Sequence, residues 1–173
     1  TPGLRALQDK EALDELLAAA TEARGADGAP IFLKVAPDLE ASEIDDIAEV
    51  ALAGKIDGLI VSNTTVSRPP LRSEHRHESG GLSGVPLKKL ALERLRDFRK
   101  ATDGAIPLIA AGGIENGVDA YSRIRAGASL LQLYSALVYQ GPGLARMIAG
   151  ELRGLLGRDG FRTIGEAVGS EVK

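Results

Sequence analysis

Short apolar runs and amphipathic stretches alternate along the chain. An apolar run that ends in glycine or polar residues predicts a buried strand, whereas apolar residues spaced three or four positions apart predict the buried side of a helix. On this pattern we expect strands at Ile31–Ala36, Asp57–Ser62, Ile106–Ala111 and Ser129–Tyr134.

Amphipathic stretches between and around these strands predict helices. Their expected bounds are Gln8–Arg24, Ser42–Ala53, Pro86–Lys100, Asn116–Ala126 and Gly143–Leu156. Ser42 has the side chain of a helix N-cap, and Pro86 suits the first turn of a helix. A long loop, Thr65–Val85, separates the second strand from the third helix.

The alternation of strands and helices predicts an α/β fold with four parallel strands. Each strand–helix unit calls for helical cover and a right-handed crossover, and strands that are apolar throughout are expected to be buried on both faces. Two architectures fit this order: a small open doubly wound sheet, and half of a (β/α)8 TIM barrel. Because the first helix has no strand before it, we favour part of a larger barrel, with residues 1–173 forming one single-domain fragment.

Composition excludes several classes of function. The chain has no Cys, so it has no disulfide framework, thiolate metal site or Cys nucleophile. A net charge of −3 gives no general attraction to nucleic acid, and 3% aromatic residues are too few for a base-stacking platform. No apolar run reaches the roughly 18 residues of a membrane span, and no signal peptide is visible. The first residue is Thr1 rather than Met, which suggests a trimmed chain.

The ends of the predicted strands carry the candidate chemistry. The second strand leads directly into Ser62, Asn63 and Thr64, and the other three strands also end in polar or glycine residues. Ligands of parallel α/β folds bind beyond the carboxyl ends of the strands. These strand ends therefore predict one shared pocket.

Three segments that follow or connect the strands, Ala110–Ile114, Leu133–Ser135 and Gly81–Gly84, suggest a phosphate cradle. Gly112 and Gly113 lie between a strand and a helix, where backbone N–H groups can approach a phosphate. Gly84 can supply a further backbone donor, and the loops after the last two strands of a barrel often bind phosphate together. The alternative is that these glycines only make tight turns. Because such sites recur in consecutive units, we favour the phosphate cradle.

Two further polar residues have both a structural and a functional interpretation. Lys34 lies inside an apolar strand, where it either extends to water or forms a fixed cation at the pocket floor facing an anionic or electron-rich ligand. Asn63 either caps the following loop or offers both a donor and an acceptor to a planar, amide-bearing ligand.

Other reactive side chains have weaker signals. His75 and His77 lie in a charged part of the long loop, so metal binding there is disfavoured, and no metal site is expected. Ser83 and Ser135 have no rigidly placed His to act as a base, which disfavours a Ser nucleophile. Tyr139 is expected to be a packing residue.

Five stretches together resemble the C-terminal half of dihydroorotate dehydrogenase, in its class 2, quinone-dependent branch. They are Leu33–Leu39, Asp57–Arg68, Glu78–Gly84, Gly112–Ile114 and Ile124–Ser135. The resemblance extends over essentially all 173 residues, and the stretches are highly specific as a set.

The resemblance implies an FMN-containing (β/α)8 barrel that oxidises dihydroorotate to orotate in pyrimidine biosynthesis and passes electrons to a quinone. It places Lys34 near the N1–O2 edge of the flavin and Ser62 beside the flavin. It assigns the pyrimidine substrate to Asn63 and Thr64. It also implies that the FMN phosphate is bound by a further set of residues, Gly84, Gly113, Tyr134 and Ser135.

The chain departs from the family in lacking the first half of the barrel. The resemblance puts the catalytic base, a Ser, upstream of Thr1, with Thr1–Arg5 as the tail of its loop, so no catalytic residue is expected in this chain. The membrane-docking helices also lie upstream. We therefore expect the parent protein to be peripheral to a membrane, on the cytoplasmic side of a bacterial inner membrane, and this half to be soluble and inactive alone.

The expected partners follow from the missing half. Open sheet edges would pair either with the N-terminal half of the barrel or with a second copy of the chain. Two other functions stay open: a non-redox half-barrel that binds a phosphate compound, and a scaffold that dimerises through its open edges.

Overall fold

The computed structural model describes residues 9–172. The helices in this range are α1 (Lys10–Arg24), α2 (Ala41–Ala53), α3 (Lys88–Ala101), α4 (Gly117–Arg125), α5 (Ser135–Gln140), α6 (Leu144–Arg158) and α7 (Ile164–Ala167). The strands are β1 (Phe32–Val35), β2 (Gly58–Val61), β3 (Leu108–Ala111) and β4 (Ala128–Gln132). A 3₁₀ helix, Val85–Leu87, precedes α3. Gln8 and Thr1–Arg5 lie outside the described residues.

The four strands form one parallel sheet in the order β1-β2-β3-β4. In register, Lys34 pairs with Ile60, Ile60 with Ile109, and Ile109 with Leu130. A doubly wound sheet reverses its strand order at a switch point, whereas a barrel adds strands in sequence. Because the strand order of this sheet has no reversal, it favours the barrel architecture and not the doubly wound sheet.

The two faces of the sheet have different surroundings. Side chains two positions apart along a strand share a face. One face is buried against the helices through Val35, Leu59, Val61, Leu108 and Ala110. The opposite face is open at both edges of the sheet, since Phe32 is 44% exposed, Leu130 is 60% exposed, and Lys34 and Gln132 are exposed.

The open face corrects the expectation that both faces of the strands are buried. Helices cover only one side of this sheet, and the other side corresponds to a barrel interior, which side chains from the remaining strands fill in a closed barrel. Phe32 and Leu130 are apolar because they face this barrel interior, and they are exposed here because no residue among 9–172 covers them.

The N-terminus of α2 differs from the prediction. The helix begins one residue before Ser42, and Glu40 is its N-cap. The Glu40 N–H donates to the Glu43 carboxylate at 2.6 Å, and the Glu40 side chain accepts from the backbone of Glu43, which forms a capping box. Ser42 is therefore not the cap. Pro86 is the second residue of the 3₁₀ helix Val85–Leu87, which leads into α3, and it does not lie in the first turn of α3 itself.

The region after β4 also differs from the prediction. The fourth strand ends at Gln132 and not at Tyr134. Tyr134 precedes α5, a helix that the sequence analysis did not predict, as it did not predict α7. The segment that contains α7 returns to α4, where the Gly169 N–H donates to the Ile124 carbonyl at 3.1 Å. Between residues 9 and 172, no helix is long and apolar enough to cross a membrane.

Candidate cofactor site

A cavity of about 380 Å³ lies beyond the carboxyl ends of the four strands. Every residue to which the sequence analysis gave a binding role lines this cavity: Lys34, Ser62, Asn63, Thr64, Gly84, Gly113, Tyr134 and Ser135. These residues come from all four strand–helix units, and the parallel register brings their strand ends to one rim. The volume falls within the range of small-molecule and cofactor sites, roughly 300–1,000 Å³.

The loop between β3 and α4 has a backbone conformation that requires glycine. Gly112 has φ 105° and Gly113 has φ 67°, both in the region that side chains disfavour. A Cβ on Gly113 would lie 2.4 Å from the Cα of Lys88, so the loop packs directly on the start of α3. No described residue accepts a hydrogen bond from the Gly113 N–H, which leaves that donor available at the cavity.

A second loop approaches the same end of the cavity. Gly84 has φ 73°, and its carbonyl accepts from the Leu87 N–H at 3.0 Å. The neighbouring hydroxyl, Ser83 Oγ, lies 2.9 Å from Ser135 Oγ at the start of α5. The Ser83 hydroxyl is therefore a further candidate for the predicted cradle. The sequence analysis considered the Ser83 side chain only as a nucleophile, because its distance of 52 positions from Ser135 hid the contact between the two hydroxyls.

The Lys34 ammonium lies on the open face of the sheet and reaches the cavity. Among residues 9–172 it has neither a carboxylate nor a hydrogen-bond acceptor as a partner, unlike the other cavity-side lysine, Lys88. A cation without a protein counter-charge leaves its charge available to a ligand.

Backbone hydrogen bonds to the neighbouring strands hold the segment after β2 in place. The Asn63 N–H donates to the Val35 carbonyl at 2.8 Å, and the Ser62 N–H donates to the Ala111 carbonyl at 3.1 Å. The Asn63 Oδ1 atom accepts from the Thr64 N–H at 2.9 Å, as the capping interpretation requires. The Asn63 amide nitrogen has no described acceptor and is left as a donor. The local cap and a ligand contact are therefore compatible.

The base of the long loop is held by Asp38, which the sequence analysis did not single out. Its carboxylate accepts from the Thr65 hydroxyl, from the Val66 N–H at 3.0 Å and from the Ser67 hydroxyl at 2.9 Å. Farther along, Arg68 donates to two carbonyls across the loop, those of Glu78 at 2.9 Å and Gly80 at 2.6 Å. An antiparallel bridge joins residues 65 and 82.

Beyond this base the loop is exposed. His75 Nδ1 lies 3.1 Å from the Glu78 carboxylate, with both side chains more than 70% exposed. In the part of the chain that the structure describes, no group of three or more His, Asp or Glu side chains is arranged to hold a metal ion.

The charges beside the Gly113 loop are paired. Lys88 Nζ lies 3.0 Å from Glu115 and 2.8 Å from Asp119. Burial works against the charged amine, but the hydrogen bonds from Asp119 and Glu115 outweigh it and raise the pKa of Lys88. Because Glu115 lines the cavity, its pairing with Lys88 reduces the repulsion that its carboxylate would exert on an anionic ligand.

Tyr139 does not pack in the core as predicted. It lies on the short helix α5, is 87% exposed and lines the cavity.

Four parallel β/α units in sequential order, with a cavity beyond the carboxyl ends of the strands, define part of a protein of the (β/α)8-barrel class. A family model described as dihydroorotate dehydrogenase matches residues 1–156. The chain belongs to the dihydroorotate dehydrogenase family, as the five sequence stretches predicted.

Curated relatives and solved structures agree with this assignment. The dihydroorotate dehydrogenase (quinone) of Erythrobacter litoralis is 63% identical, over 99% of this chain and 50% of the relative. That of Novosphingobium aromaticivorans is 59% identical, over 99% and 49%. The crystal structure of DHODH from Eimeria tenella in complex with ferulenol has a TM-score of 0.95 and 41% identity, and covers 99% of this chain and 51% of that chain. The chain thus spans about half the length of the relatives it matches.

Proposed function

We propose that this chain supplies the C-terminal half of an FMN-dependent barrel enzyme. The whole enzyme oxidises dihydroorotate to orotate with a quinone as electron acceptor, in pyrimidine biosynthesis. The observation that carries the proposal is the convergence of Lys34, Asn63, Gly113 and Tyr134 from four different units on one cavity. The names of the curated relatives support the reaction.

The donors around the cavity fit FMN. The Gly113 N–H, the Gly84 backbone and the Ser135 hydroxyl suit a phosphate group, since each can donate to an anionic oxygen. Helices leave their first N–H groups unpaired, so the start of α5 adds backbone donors at Tyr134 and Ser135. When bound, FMN supplies the two-electron redox chemistry, which no side chain among residues 9–172 provides.

The proposed roles of the other residues follow from their positions. Lys34, which lines the cavity, would hold a positive charge near the N1–O2 edge of a bound flavin and favour its electron-rich reduced form. Ser62 is 3% exposed and its hydroxyl donates to the Asn63 carbonyl at 3.1 Å. In this proposal it would lie beside the ring system of a bound flavin. Asn63 and Thr64 orient the planar substrate through hydrogen bonds.

We assign no catalytic base to this chain. The base, in this proposal, comes from the upstream half of the barrel, which also covers Phe32 and Leu130 on the open face and pairs with the edges of β1 and β4. Pairing of the same edges in a homodimer is the alternative, and it would leave the pocket without a base.

A quinone is an apolar acceptor, and the rim of the cavity includes the aromatic side chain of Tyr139, which is 87% exposed. Its neighbour on α5, Val138, does not line the cavity but is also 75% exposed. Such a rim supports approach of an apolar molecule from a membrane surface, and we propose that the whole protein is peripheral to the membrane.

A non-redox phosphate compound is the second candidate ligand, because the same glycine loops would bind its phosphate. Identification of the bound cofactor separates the two. We expect the full-length protein that carries this chain to be purified with one flavin per barrel, identified as FMN by mass after release. Purified protein that takes up a sugar phosphate and binds no flavin after incubation with FMN would contradict the proposal.

A further inference from the structure

Arg123 is a buried cation directly behind the Gly112–Gly113 loop. It lies on α4, is 1% exposed, and is the largest fully buried side chain in the described part of the chain. One terminal nitrogen, Nη2, donates to the Lys88 carbonyl at 2.6 Å and to the Gly112 carbonyl at 3.1 Å. Arg123 therefore ties the loop after β3 to the start of α3.

The rest of the guanidinium group has no partner. Its Nε and Nη1 atoms are buried without a hydrogen-bond acceptor, and no described carboxylate lies within ion-pair distance. Burial lowers the pKa of Arg123 to about 10, partly offset by the charge of Asp119, so the group stays protonated at neutral pH. An unpaired buried charge is costly, and an anion bound nearby would reduce that cost.

The position of Arg123 also fixes the direction of a backbone donor. In a trans peptide the carbonyl of one residue and the N–H of the next point in opposite directions. Because Arg123 holds the Gly112 carbonyl from behind, the Gly113 N–H of the same peptide points away from the guanidinium. Gly113 lines the cavity, and its N–H has no described acceptor. A cation on the carbonyl further polarises that N–H as a donor.

We propose that Arg123 is a positioning residue for the phosphate end of the cavity: it orients the Gly113 N–H toward the phosphate and adds a positive potential behind it. This inference rests on the proposed function, in which the phosphate belongs to FMN. Arg123 acts through the Gly112–Gly113 peptide, and it does not line the cavity itself.

The test compares two flavins that differ only in the phosphate. Full-length protein that carries this chain is freed of flavin and titrated with FMN and with riboflavin, and each dissociation constant is read from flavin fluorescence. The variants are Arg123→Met, which removes the charge, and Arg123→Lys, which keeps it without the planar fork. Arg94→Met is the matched control, since Arg94 also donates to a backbone carbonyl, that of Leu39 at 2.8 Å, away from the cavity.

We expect Arg123→Met to reduce the preference for FMN over riboflavin by about tenfold or more, with riboflavin binding nearly unchanged. Arg123→Lys should retain more of the preference, and Arg94→Met should leave it as in the wild type. If Arg123 had only a structural role, its replacement would weaken the binding of FMN and of riboflavin equally. That result, or an unchanged preference in both Arg123 variants, would overturn the inference. If Arg123→Met does not fold, Arg123→Lys decides: a reduced preference for FMN over riboflavin supports the inference, and an unchanged preference overturns it.

The same titration separates this inference from the proposed function. Wild-type protein that binds neither flavin, or that binds riboflavin as tightly as FMN, contradicts an FMN phosphate site altogether. Wild-type protein that prefers FMN, together with Arg123 variants that keep the full preference, contradicts only the role of Arg123.

Discussion

Ser83 Oγ and Ser135 Oγ lie 2.9 Å apart, although they belong to different strand–helix units. The contact joins the loop before the 3₁₀ helix to the start of α5, and both serines line the cavity together with Gly84 and Gly113. When one of these hydroxyls donates to the other, the second still has its own O–H group to donate to a phosphate.

Ser83→Ala should therefore weaken FMN binding. Loss of one neutral hydrogen bond, about 0.5–1.5 kcal/mol, corresponds to a decrease in affinity of about two- to tenfold. The measurement is a fluorescence titration of flavin-free, full-length protein. Ser42→Ala is the control, because Ser42 lies in the first turn of α2 and Glu40 provides the cap. Equal FMN affinity in the Ser83 variant and the wild type would remove Ser83 from the cradle.

Gly113→Ala should be far more disruptive than an ordinary glycine substitution. The residue has φ 67°, and its new Cβ would lie 2.4 Å from the Lys88 Cα. We expect the free energy of unfolding, measured with urea, to fall by about 1–3 kcal/mol. FMN binding should be lost as well. Gly150→Ala is the control: nothing lies within 4 Å of its Cβ, and a helical alanine adds about 0.5–1 kcal/mol of stability. If Gly113→Ala and Gly150→Ala had the same free energy of unfolding, the predicted backbone strain at Gly113 would be contradicted.

Lys34→Ala should impair chemistry without impairing folding. Lys34 has no ion pair or hydrogen bond among residues 9–172, so in the flavin-free protein its removal breaks no described interaction and should change the free energy of unfolding by less than about 0.5 kcal/mol. In full-length protein, loss of the fixed charge should slow flavin reduction by dihydroorotate by about 100-fold or more. Stopped-flow absorbance measures this rate, with Lys89→Ala, at a 90% exposed surface lysine, as the control. An unchanged rate would make Lys34 structural.

Hydrogen exchange should divide the long loop into a protected base and an open tip. The Thr65 and Leu82 N–H groups donate to each other's carbonyls at 3.0 and 2.8 Å, and we expect them to exchange slowly. The exposed residues 72–78 have few apolar contacts and should exchange fast. The strand amides of Leu108–Ala111 serve as the slow reference. Protection at residues 72–78 that equals that of β3 would disprove this division.

The sequence predicted those parts of the site that depend on local patterns. The change from apolar to polar or glycine residues marks the end of each strand, and parallel strands bring these ends to one rim. This is why Lys34, Asn63 and Gly113 could be grouped in advance. The order of the strands and the single covered face needed the structure, because the pattern of Phe32 and Leu130 is the same whether helices or other strands cover them.

The parts that were missed depend on contacts between distant segments. Ser83 meets Ser135, and Arg123 reaches the Gly112 carbonyl, through packing that no short motif records. Helix α5 was missed because its apolar residues directly follow β4 and its six residues are too few for a clear helical period. Asp38 was overlooked because Thr65, Val66 and Ser67, which donate to its carboxylate, lie 27–29 positions away along the chain.

The central claim is that this chain forms half of an FMN site for dihydroorotate oxidation. The most direct measurement is the visible absorbance of bound flavin when dihydroorotate is added without oxygen, to the full-length protein and to the isolated chain. We expect the full-length protein to lose the oxidised flavin spectrum and to regain it on addition of a quinone, whereas the isolated chain shows no reduction. Full-length protein whose bound flavin stays oxidised with dihydroorotate, or an isolated chain that turns over alone, would contradict the account.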